Sequence, residues 1–344
     1  MKKALFLLFI SVLFGCNNVS PQNQIDSSGK ILSNALWVWP AKPNRNNPFE
    51  MKSNTMRAEL IDRASQSNVN HLFIDLYYFP QNSSGRLLYE GSEISDLVAS
   101  AHNKKISVWA SYGDASWADP AAKEWPGASC DSTVWPMARL SEVIGYNKDN
   151  PTAKIDGVML NVEPSSLHPE NALWLAGLLQ LLDCAHRKLA PEGIKLSVSI
   201  RFFWNDLIEY PQGGSVKPMY QQIIDMPIDL IVVAGYRDFA GIACTDNGLI
   251  CLDQDEMTYA NSVGRKNLIL VGVETQDCGD GSCSGSIETF FEEGQIALNR
   301  ESKVVINHFS ASLSFGGIAI HHYLDTYLGN LSNWPAYNKD FPRS

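Results

Sequence analysis

The chain of 344 residues is short of basic side chains, and this deficit limits the partners that it can have. It contains 27 Lys and Arg against 37 Asp and Glu, which gives a formal net charge of −10. Nucleic-acid binding requires a basic surface that neutralises phosphates, so we expect no nucleic-acid partner. With 45% hydrophobic and 19% charged residues, the composition indicates a globular fold. It excludes a disordered chain, a coiled coil and a collagen-like fibre.

Several common functional sites lack their sequence signatures. No Gly-x-Ser-x-Gly motif is present, so a serine-hydrolase site is not expected. No Gly-rich phosphate loop follows the first predicted strand, and no Cys-x-x-Cys pair occurs. The chain has only seven His residues, and none lies close to a group of cysteines. We therefore predict neither a metal site nor a cofactor.

The N-terminus has the order of features found in an export signal. Met1–Lys3 is basic, and Ala4–Gly15 is apolar but too short to span a bilayer as a mature helix. The run Leu13-Phe14-Gly15-Cys16 resembles the lipobox of bacterial lipoproteins, in which the Cys is lipidated and becomes the first residue after cleavage. The alternative is an ordinary signal peptide with an incidental Cys. No other stretch approaches the roughly 18 to 20 apolar residues of a transmembrane helix.

These features divide the chain into three parts. Residues 1–15 are predicted to be the signal peptide, residues 16–34 the lipidated Cys16 with a flexible polar tether, and residues 35–344 one domain. We expect a monomer that is lipid-anchored in the cell envelope, and in the outer membrane if the organism has one.

An even number of cysteines remains after Cys16, and in an exported chain this suggests disulfides. Cys244 with Cys251, and Cys278 with Cys283, enclose short segments that could each close locally. A pair between Cys130 and Cys184 then follows only by elimination. A metal site is the alternative use of the cysteine cluster, and its spacing does not favour that alternative.

Eight short apolar runs alternate with stretches of helical periodicity. The predicted strands are Leu36–Trp39, His71–Tyr78, Ile106–Tyr112, Gly157–Glu163, Lys195–Phe203, Leu230–Tyr236, Leu268–Glu274 and Gly317–Tyr323. The clearest helical stretches are Met56–Ser67, Ile94–Lys104, Leu167–Leu189 and Ile287–Arg300. Strands that are apolar throughout indicate a parallel sheet covered on both faces. We therefore predict an α/β fold, a single (β/α)8 TIM barrel, with a doubly wound sheet as the alternative.

Functional residues of such a barrel lie where the strands end. The side chains at the predicted strand ends are mostly aromatic, with a few carboxylates and their polar neighbours, and this set is typical of glycoside hydrolysis. The predicted substrate-binding residues among them are Trp39, Asp75, Tyr77, Trp109, Arg201, Trp204, Tyr236, Arg237, Asp238 and His322. Asp75 is either a further rim carboxylate or a residue that positions another group. Because neighbours in a strand alternate, at most one of His321 and His322 should enter the lumen, as a sugar ligand or a structural His.

The fourth predicted strand carries the motif Asp156-Gly-Val-Met-Leu-Asn-Val-Glu163. Strand alternation places Met159, Asn161 and Glu163 on one face, so Glu163 should emerge at the rim of the lumen. Partial burial above Met159 would raise the pKa of Glu163 and suit it to donate a proton. The alternative is a rim Glu that pairs with Arg201 or Arg237 and performs no chemistry.

This motif resembles the strand-four segment of family 85 endo-β-N-acetylglucosaminidases, which use an Asn and a Glu two residues apart. It is also similar to the family 18 chitinase pattern Asp-x-x-Asp-x-Asp-x-Glu, from which Met159 and Asn161 depart. The resemblance implies that Glu163 is the general acid/base and that Asn161 holds a substrate acetamide. The segment Ala-Gly-Tyr236-Arg-Asp-Phe looks like the strand-six segment that supplies a substrate-contacting Tyr in chitinase-like barrels.

A second resemblance concerns Val271-Gly-Val-Glu274-Thr-Gln at the end of the seventh strand. Retaining glycosidases of the large (β/α)8 clan carry an acid/base Glu after strand four and a nucleophilic Glu after strand seven. Glu163 and Glu274 are similar to that pair, although Val162 stands where the clan has Asn. The resemblance implies that Glu274 is the nucleophile.

Three hypotheses follow for the function. The first is a lipid-anchored glycoside hydrolase that acts on an external carbohydrate, with Glu163 as acid/base and either Glu274 or the substrate's own acetamide as nucleophile. The second is a glycan-binding lipoprotein without catalysis, and the third is a barrel hydrolase or lyase of another class. Two carboxylates converging in one cleft favour an enzyme, whereas an ion pair that holds Glu163 favours binding alone.

Overall fold

The structure is a computed structural model that describes residues 33–39, 50–78, 87–88, 92–119, 130, 136–164, 172–205, 207–209, 216–242, 246–276 and 286–323. Eight parallel strands close into a barrel. They are β1 Ser33–Val38, β2 Val69–Ile74, β3 Ser107–Tyr112, β4 Gly157–Leu160, β5 Lys195–Arg201, β6 Leu230–Ala234, β7 Ile269–Glu274 and β8 Phe315–Tyr323. Each strand pairs with its neighbours in the sequence, and β1 closes the barrel against β8. The prediction of a TIM barrel is confirmed.

Helices connect the successive strands and cover the outside of the barrel. They are α1 Asn54–Gln66, α2 Glu93–Asn103, α3 Met137–Asp149, α4 Ala172–Leu189, α5 Met219–Asp225, α6 Leu249–Leu252, α7 Gln254–Ser262 and α8 Gly294–Phe309. The start of α1 is fixed by Ser53, whose hydroxyl accepts a hydrogen bond from the Met56 backbone N–H at 3.3 Å. Within the described residues, no helix has both the length and the hydropathy that a membrane span needs.

Aromatic rings and branched side chains fill the lumen. Trp37 packs edge-to-face on Phe73 at 5.0 Å between ring centroids, and Phe73 packs in the same way on Trp109 at 5.9 Å. Gly157 lets β4 approach this layer, because a Cβ there would lie 2.2 Å from the Trp109 ring. Met159 belongs to the same interior cluster, as alternation along the fourth strand predicts.

Two features at the periphery refine the predicted organisation. β1 begins at Ser33, three residues before the predicted start of this strand, so Ser33 and Asn34 belong to the strand and not to the predicted tether. Ser33 pairs with Gly317 of β8, and the following residues continue the pairing. A disulfide joins Cys130 to Cys184 of α4, with a Cα–Cα distance of 4.9 Å, which confirms the pair reached by elimination. Cys16, Cys244, Cys278 and Cys283 lie outside the described residues, so the lipidation and the two local disulfides stay predictions.

Candidate functional site

Glu163 and Arg201 form an ion pair at the carboxyl-terminal rim of the barrel. Glu163 follows β4 by three residues, and Arg201 is the last residue of β5, so neighbouring strand ends bring the two together. A guanidinium Nη2 donates to Glu163 Oε2, and the two side chains are 27% and 20% exposed. This is one of the two pairings expected for a rim Glu, and it involves Arg201 rather than Arg237.

Glu274 ends β7 as a buried carboxylate whose two oxygens both accept hydrogen bonds. Its Oε1 accepts from the backbone N–H groups of Thr275 and Gln276, both at 2.8 Å. Its Oε2 lies 2.7 Å from Nδ1 of His321, the residue directly opposite it on β8. Three donors therefore fix the position of this carboxylate.

The contacts of His321 define its protonation state. Its Nε2 lies 3.0 Å from Nε1 of Trp39, and an indole N–H can only donate. Nε2 must therefore be the acceptor, and the proton of the neutral ring is on Nδ1, from which it is donated to Glu274. Trp39, predicted to bind substrate, thus holds His321 in one tautomer.

Tyr236 follows the end of β6 by two residues and lies within electrostatic reach of both carboxylates. Burial raises the pKa of its hydroxyl well above the ordinary value; the negative charges of Glu274 and Glu163 add to this, and Arg201 opposes it. The ring is tilted over His321 with 6.1 Å between centroids. The Tyr236 backbone has φ +33°, an uncommon conformation for a non-glycine residue and one that recurs at functional sites. The site therefore contains a neutral phenol that can donate a hydrogen bond and that senses the charges of both carboxylates.

Asn161 shares this rim with Glu163. Its backbone N–H donates to the Tyr112 carbonyl at 3.2 Å, which holds the segment after β4 against β3. Among the described residues, neither the Asn161 amide nor the Tyr236 hydroxyl has a hydrogen-bonded side-chain partner. Both groups are half-buried and remain open to a ligand.

Other predicted substrate-binding residues are placed differently. Trp109 is buried in the lumen, where its indole N–H donates to Ser107 Oγ at 2.8 Å. Trp204 is buried in the outer core between the sheet and the helices. Asp75 is buried below the rim. Trp109 lies within β3 and points into the packed lumen, whereas Asp75 and Trp204 follow strands that end earlier than predicted.

His322 is also buried, and its ring centroid lies 4.6 Å from that of His321. The two rings touch, so simple alternation does not separate them onto opposite faces. It is His321, not the predicted His322, that bonds to Glu274 and Trp39.

Two charged residues after β6 turn to local partners. Arg237 donates to the carbonyl oxygens of Gly235 and Tyr236, at 3.3 and 2.8 Å, and its guanidinium lies 5.6 Å from the Phe202 ring centroid. Asp238 hydrogen-bonds to Glu293. Burial of Glu293 raises its pKa to about 7, and the negative charge of Asp238 adds to this rise. The backbone of Tyr77 lies in a short hairpin with Leu87–Leu88, and its side chain is outside the described part of the chain.

In the part of the chain that the structure describes, no group of three or more His, Cys, Asp or Glu is arranged to hold a metal ion. The polar groups of the site are carboxylates, a phenol, an amide and a neutral imidazole. Together they can move a proton and bind an uncharged polar ligand.

No protein-family model and no curated protein matches the chain. Among solved structures, it is similar to an endo-β-N-acetylglucosaminidase of Cordyceps militaris, with 13% identity, a TM-score of 0.50, and coverage of 91% of this chain and 92% of that one. A family 18 chitinase of Pseudoalteromonas aurantia has 12% identity and a TM-score of 0.49, over 88% and 97% of the two chains. The spore cortex-lytic enzyme SleL of Bacillus megaterium has 11% identity and a TM-score of 0.49, over 88% and 73%. The first similarity agrees with the closed (β/α)8 barrel as the fold of this chain.

Proposed function

We propose that this protein is a glycoside hydrolase of the cell envelope that cleaves glycans containing N-acetylated sugars. The observation that carries the proposal is that Glu163, Tyr236 and Glu274 all lie at the carboxyl ends of barrel strands, where the charges of both carboxylates act on the pKa of Tyr236. Active sites of TIM-barrel enzymes are built at this rim. A pair of carboxyl groups is what glycosidic bond cleavage requires.

The proposed reaction uses the substrate acetamide as the nucleophile. Glu163 donates a proton to the glycosidic oxygen as the C1–O bond breaks, and the acetamide oxygen attacks C1 to form an oxazoline-type ring. The Glu163 carboxylate then takes a proton from the water that attacks C1 and reopens the ring. Asn161 and Tyr236, whose polar groups are open to a ligand, would orient the acetamide.

The contacts of Glu274 favour this route over direct attack by Glu274. A nucleophilic carboxylate must turn an open lone pair toward C1, whereas three donors already hold the oxygens of Glu274. We assign Glu274 the task of stabilising positive charge that develops on the sugar ring. The two-carboxylate mechanism stays as the rival, and azide tests it.

The test compares aryl β-N-acetylglucosaminides and chitooligosaccharides with the matching glucosides. We expect cleavage only of the N-acetylated series, and a loss of about 10² to 10⁴ in kcat for Glu163→Gln. Asn161→Ala should slow the cleavage of N-acetylated substrates, and Glu50→Gln, at an exposed position before α1, serves as the matched control. Cleavage of glucosides, or rescue of Glu274→Ala by azide, would support the rival mechanism.

A glycan-binding protein without catalysis is the second candidate, and the ion pair between Glu163 and Arg201 favours it. A proton donor must release its proton to the leaving oxygen, and a partner guanidinium competes for that carboxyl. If this candidate is correct, the wild-type protein binds chitooligosaccharides in calorimetry without releasing products. Glu163→Gln would then change affinity and reveal no lost turnover.

The proposed location depends on the N-terminal segment. The basic start, the apolar stretch and the Leu13-Phe14-Gly15-Cys16 run support lipidation at Cys16. A lipid anchor would hold the barrel at an envelope surface, where the glycan substrate is found.

A further inference from the structure

Four lysines lie at the beginnings of barrel strands. Lys105 precedes β3, Lys154 precedes β4, Lys195 is the first residue of β5, and Lys266 precedes β7. All four are exposed, and none forms an ion pair with another described residue. Because all the strands are parallel, their beginnings lie at one end of the barrel, which we call the amino-terminal face.

The acidic side chains of the amino-terminal face are largely engaged. Asp156 accepts a backbone N–H at 2.8 Å and lies 2.8 Å from a ring nitrogen of His102. Asp229 accepts a backbone N–H at 2.9 Å, and Glu192 pairs with Lys148 at 3.0 Å. These hydrogen bonds do not remove the charges of Asp156 and Asp229, and Asp149 at the end of α3 is exposed. The four lysines and Arg265 still outnumber these three carboxylates, so the net charge of the face is positive, although the whole chain carries −10.

A cleft of about 410 Å³ opens on this face between the beginnings of β5 and β6. His186, Lys195, Asp229 and Arg265 line it. The Arg265 guanidinium donates to backbone carbonyl oxygens, including that of Met226 at 2.7 Å. Lys195 and His186 are then the groups that can meet an anion, and the Asp229 carboxylate in the same cleft opposes it. The cleft is large enough to receive a phosphate group.

The chain joins this face to the predicted anchor. β1 begins at Ser33 on the amino-terminal face, so the 16 residues between Cys16 and Ser33 lead to it. Fully extended, such a segment spans at most about 60 Å. Within this reach, the charge distribution decides which side of the barrel turns toward a bilayer.

We infer that the amino-terminal face docks on a bilayer that contains anionic phospholipids, with a headgroup phosphate at the Lys195 cleft. Basic residues near such a surface each contribute about fivefold to partitioning. Docking directs the rim that carries Glu163 and Glu274 away from the bilayer and keeps acidic side chains off the anionic headgroups. The inference does not depend on glycoside hydrolysis.

The test is a lysine footprint on the full chain, isolated from membranes with its native N-terminus. It is reconstituted on vesicles of phosphatidylcholine alone or of equal parts phosphatidylcholine and phosphatidylglycerol, and a water-soluble acetylating reagent is applied. We expect acetylation of Lys105, Lys154, Lys195 and Lys266 to fall severalfold on the anionic vesicles and to recover at high salt. Lys52, before α1, and Lys303, on α8, are exposed controls whose acetylation should not change.

A double variant sharpens the test. Lys195→Ala with Lys266→Ala should restore most of the acetylation of Lys105 and Lys154, whereas Lys52→Ala with Lys303→Ala should leave it low. Equal acetylation on the two kinds of vesicle, or equal protection of Lys52, would overturn the inference. Protection by inorganic phosphate without vesicles would also overturn it, in favour of a soluble phosphate ligand. Loss of all binding to phosphatidylcholine vesicles bears on the lipid anchor alone, and loss of turnover bears on the proposed function alone.

Discussion

At the scale of single residues, the site depends on a chain of hydrogen bonds that runs from Trp39 through His321 to Glu274. The indole N–H selects the tautomer of His321, and this tautomer places its only proton toward the buried carboxylate. Glu274 is 6% exposed, so water reaches its oxygens poorly. Loss of one donor therefore leaves a buried acceptor oxygen without a hydrogen bond. His321 therefore contributes to the position of Glu274 as well as to its stability.

We expect His321→Ala to lower the free energy of unfolding by about 1 to 3 kcal/mol, because it leaves Glu274 Oε2 buried without its donor. Urea unfolding followed by circular dichroism measures the change. His308→Ala, at an exposed position on α8, is the matched control and should change stability by about 0.5 kcal/mol or less. Equal stability of the two variants would show that solvent or another group satisfies Glu274.

The sequence indicated the individual site residues unevenly, and the reason is the strand register. Glu163 and Tyr236 follow recognisable local motifs, so a pattern along one strand suffices to find them. The partnership of Glu274 with His321 depends on which residue of β7 stands opposite which residue of β8, and this is fixed by barrel closure. Arg201 is at a predicted strand end, but its contact with Glu163 also depends on how the strands lie beside each other in the folded barrel.

At the scale of secondary-structure elements, the apolar runs located the eight strands well because every barrel strand is buried on both faces. The ends were less well defined. The run predicted as Gly157–Glu163 pairs as a strand only to Leu160, since the chain leaves the barrel there to form the rim. The helix predicted at Ile287–Arg300 instead extends over Gly294–Phe309, and Ser286–Glu288 forms a separate turn of 3-10 helix.

The junction of α6 and α7 contains two buried carboxyl groups, Asp253 and Glu256. Neither has a hydrogen-bond partner within the described residues. Burial raises the pKa of Glu256 to about 8 and that of Asp253 well above its usual range. Both groups are therefore neutral in the folded protein at neutral pH, whereas in the unfolded chain they ionise near their ordinary values.

This difference predicts a pH dependence of stability with a definite sign. Between the ordinary Glu pKa and about 8, the folded state holds a proton that the unfolded state has lost, so stability falls as the pH rises. We expect Glu256→Gln to reduce this fall by about 1.4 kcal/mol per pH unit, and to match the wild type at pH values below the ordinary Glu pKa. Asp255→Asn, at the exposed neighbouring position, is the control. Parallel pH profiles for wild type and Glu256→Gln in thermal unfolding would contradict the prediction.

At the scale of the whole molecule, the two ends of the barrel differ in chemistry. The carboxyl-terminal rim contains Glu163, Glu274 and Asp238, while the amino-terminal face presents lysines that form no ion pair with another described residue. The disulfide from Cys130 to Cys184 closes a loop with a sequence separation of 54 and ties the segment after β3 to α4. Oxidised cysteines are typical of exported proteins, so this bond agrees with the export signal inferred from the N-terminus.

We expect attachment of this polarised barrel to a membrane to depend on Cys16. If Cys16 carries acyl chains, their burial supplies about 0.8 kcal/mol per methylene, and two or more chains give stable anchoring. Cys16→Ala removes the acceptor of the lipid, so the variant should accumulate as an uncleaved precursor or as a soluble protein. Phase separation in detergent and the mass of the mature N-terminus measure the two outcomes. Because the lysines of the amino-terminal face remain, a soluble form should still bind anionic vesicles weakly and should leave them at high salt. If the variant is processed and fractionates like the wild type, Cys16 is not the lipid acceptor.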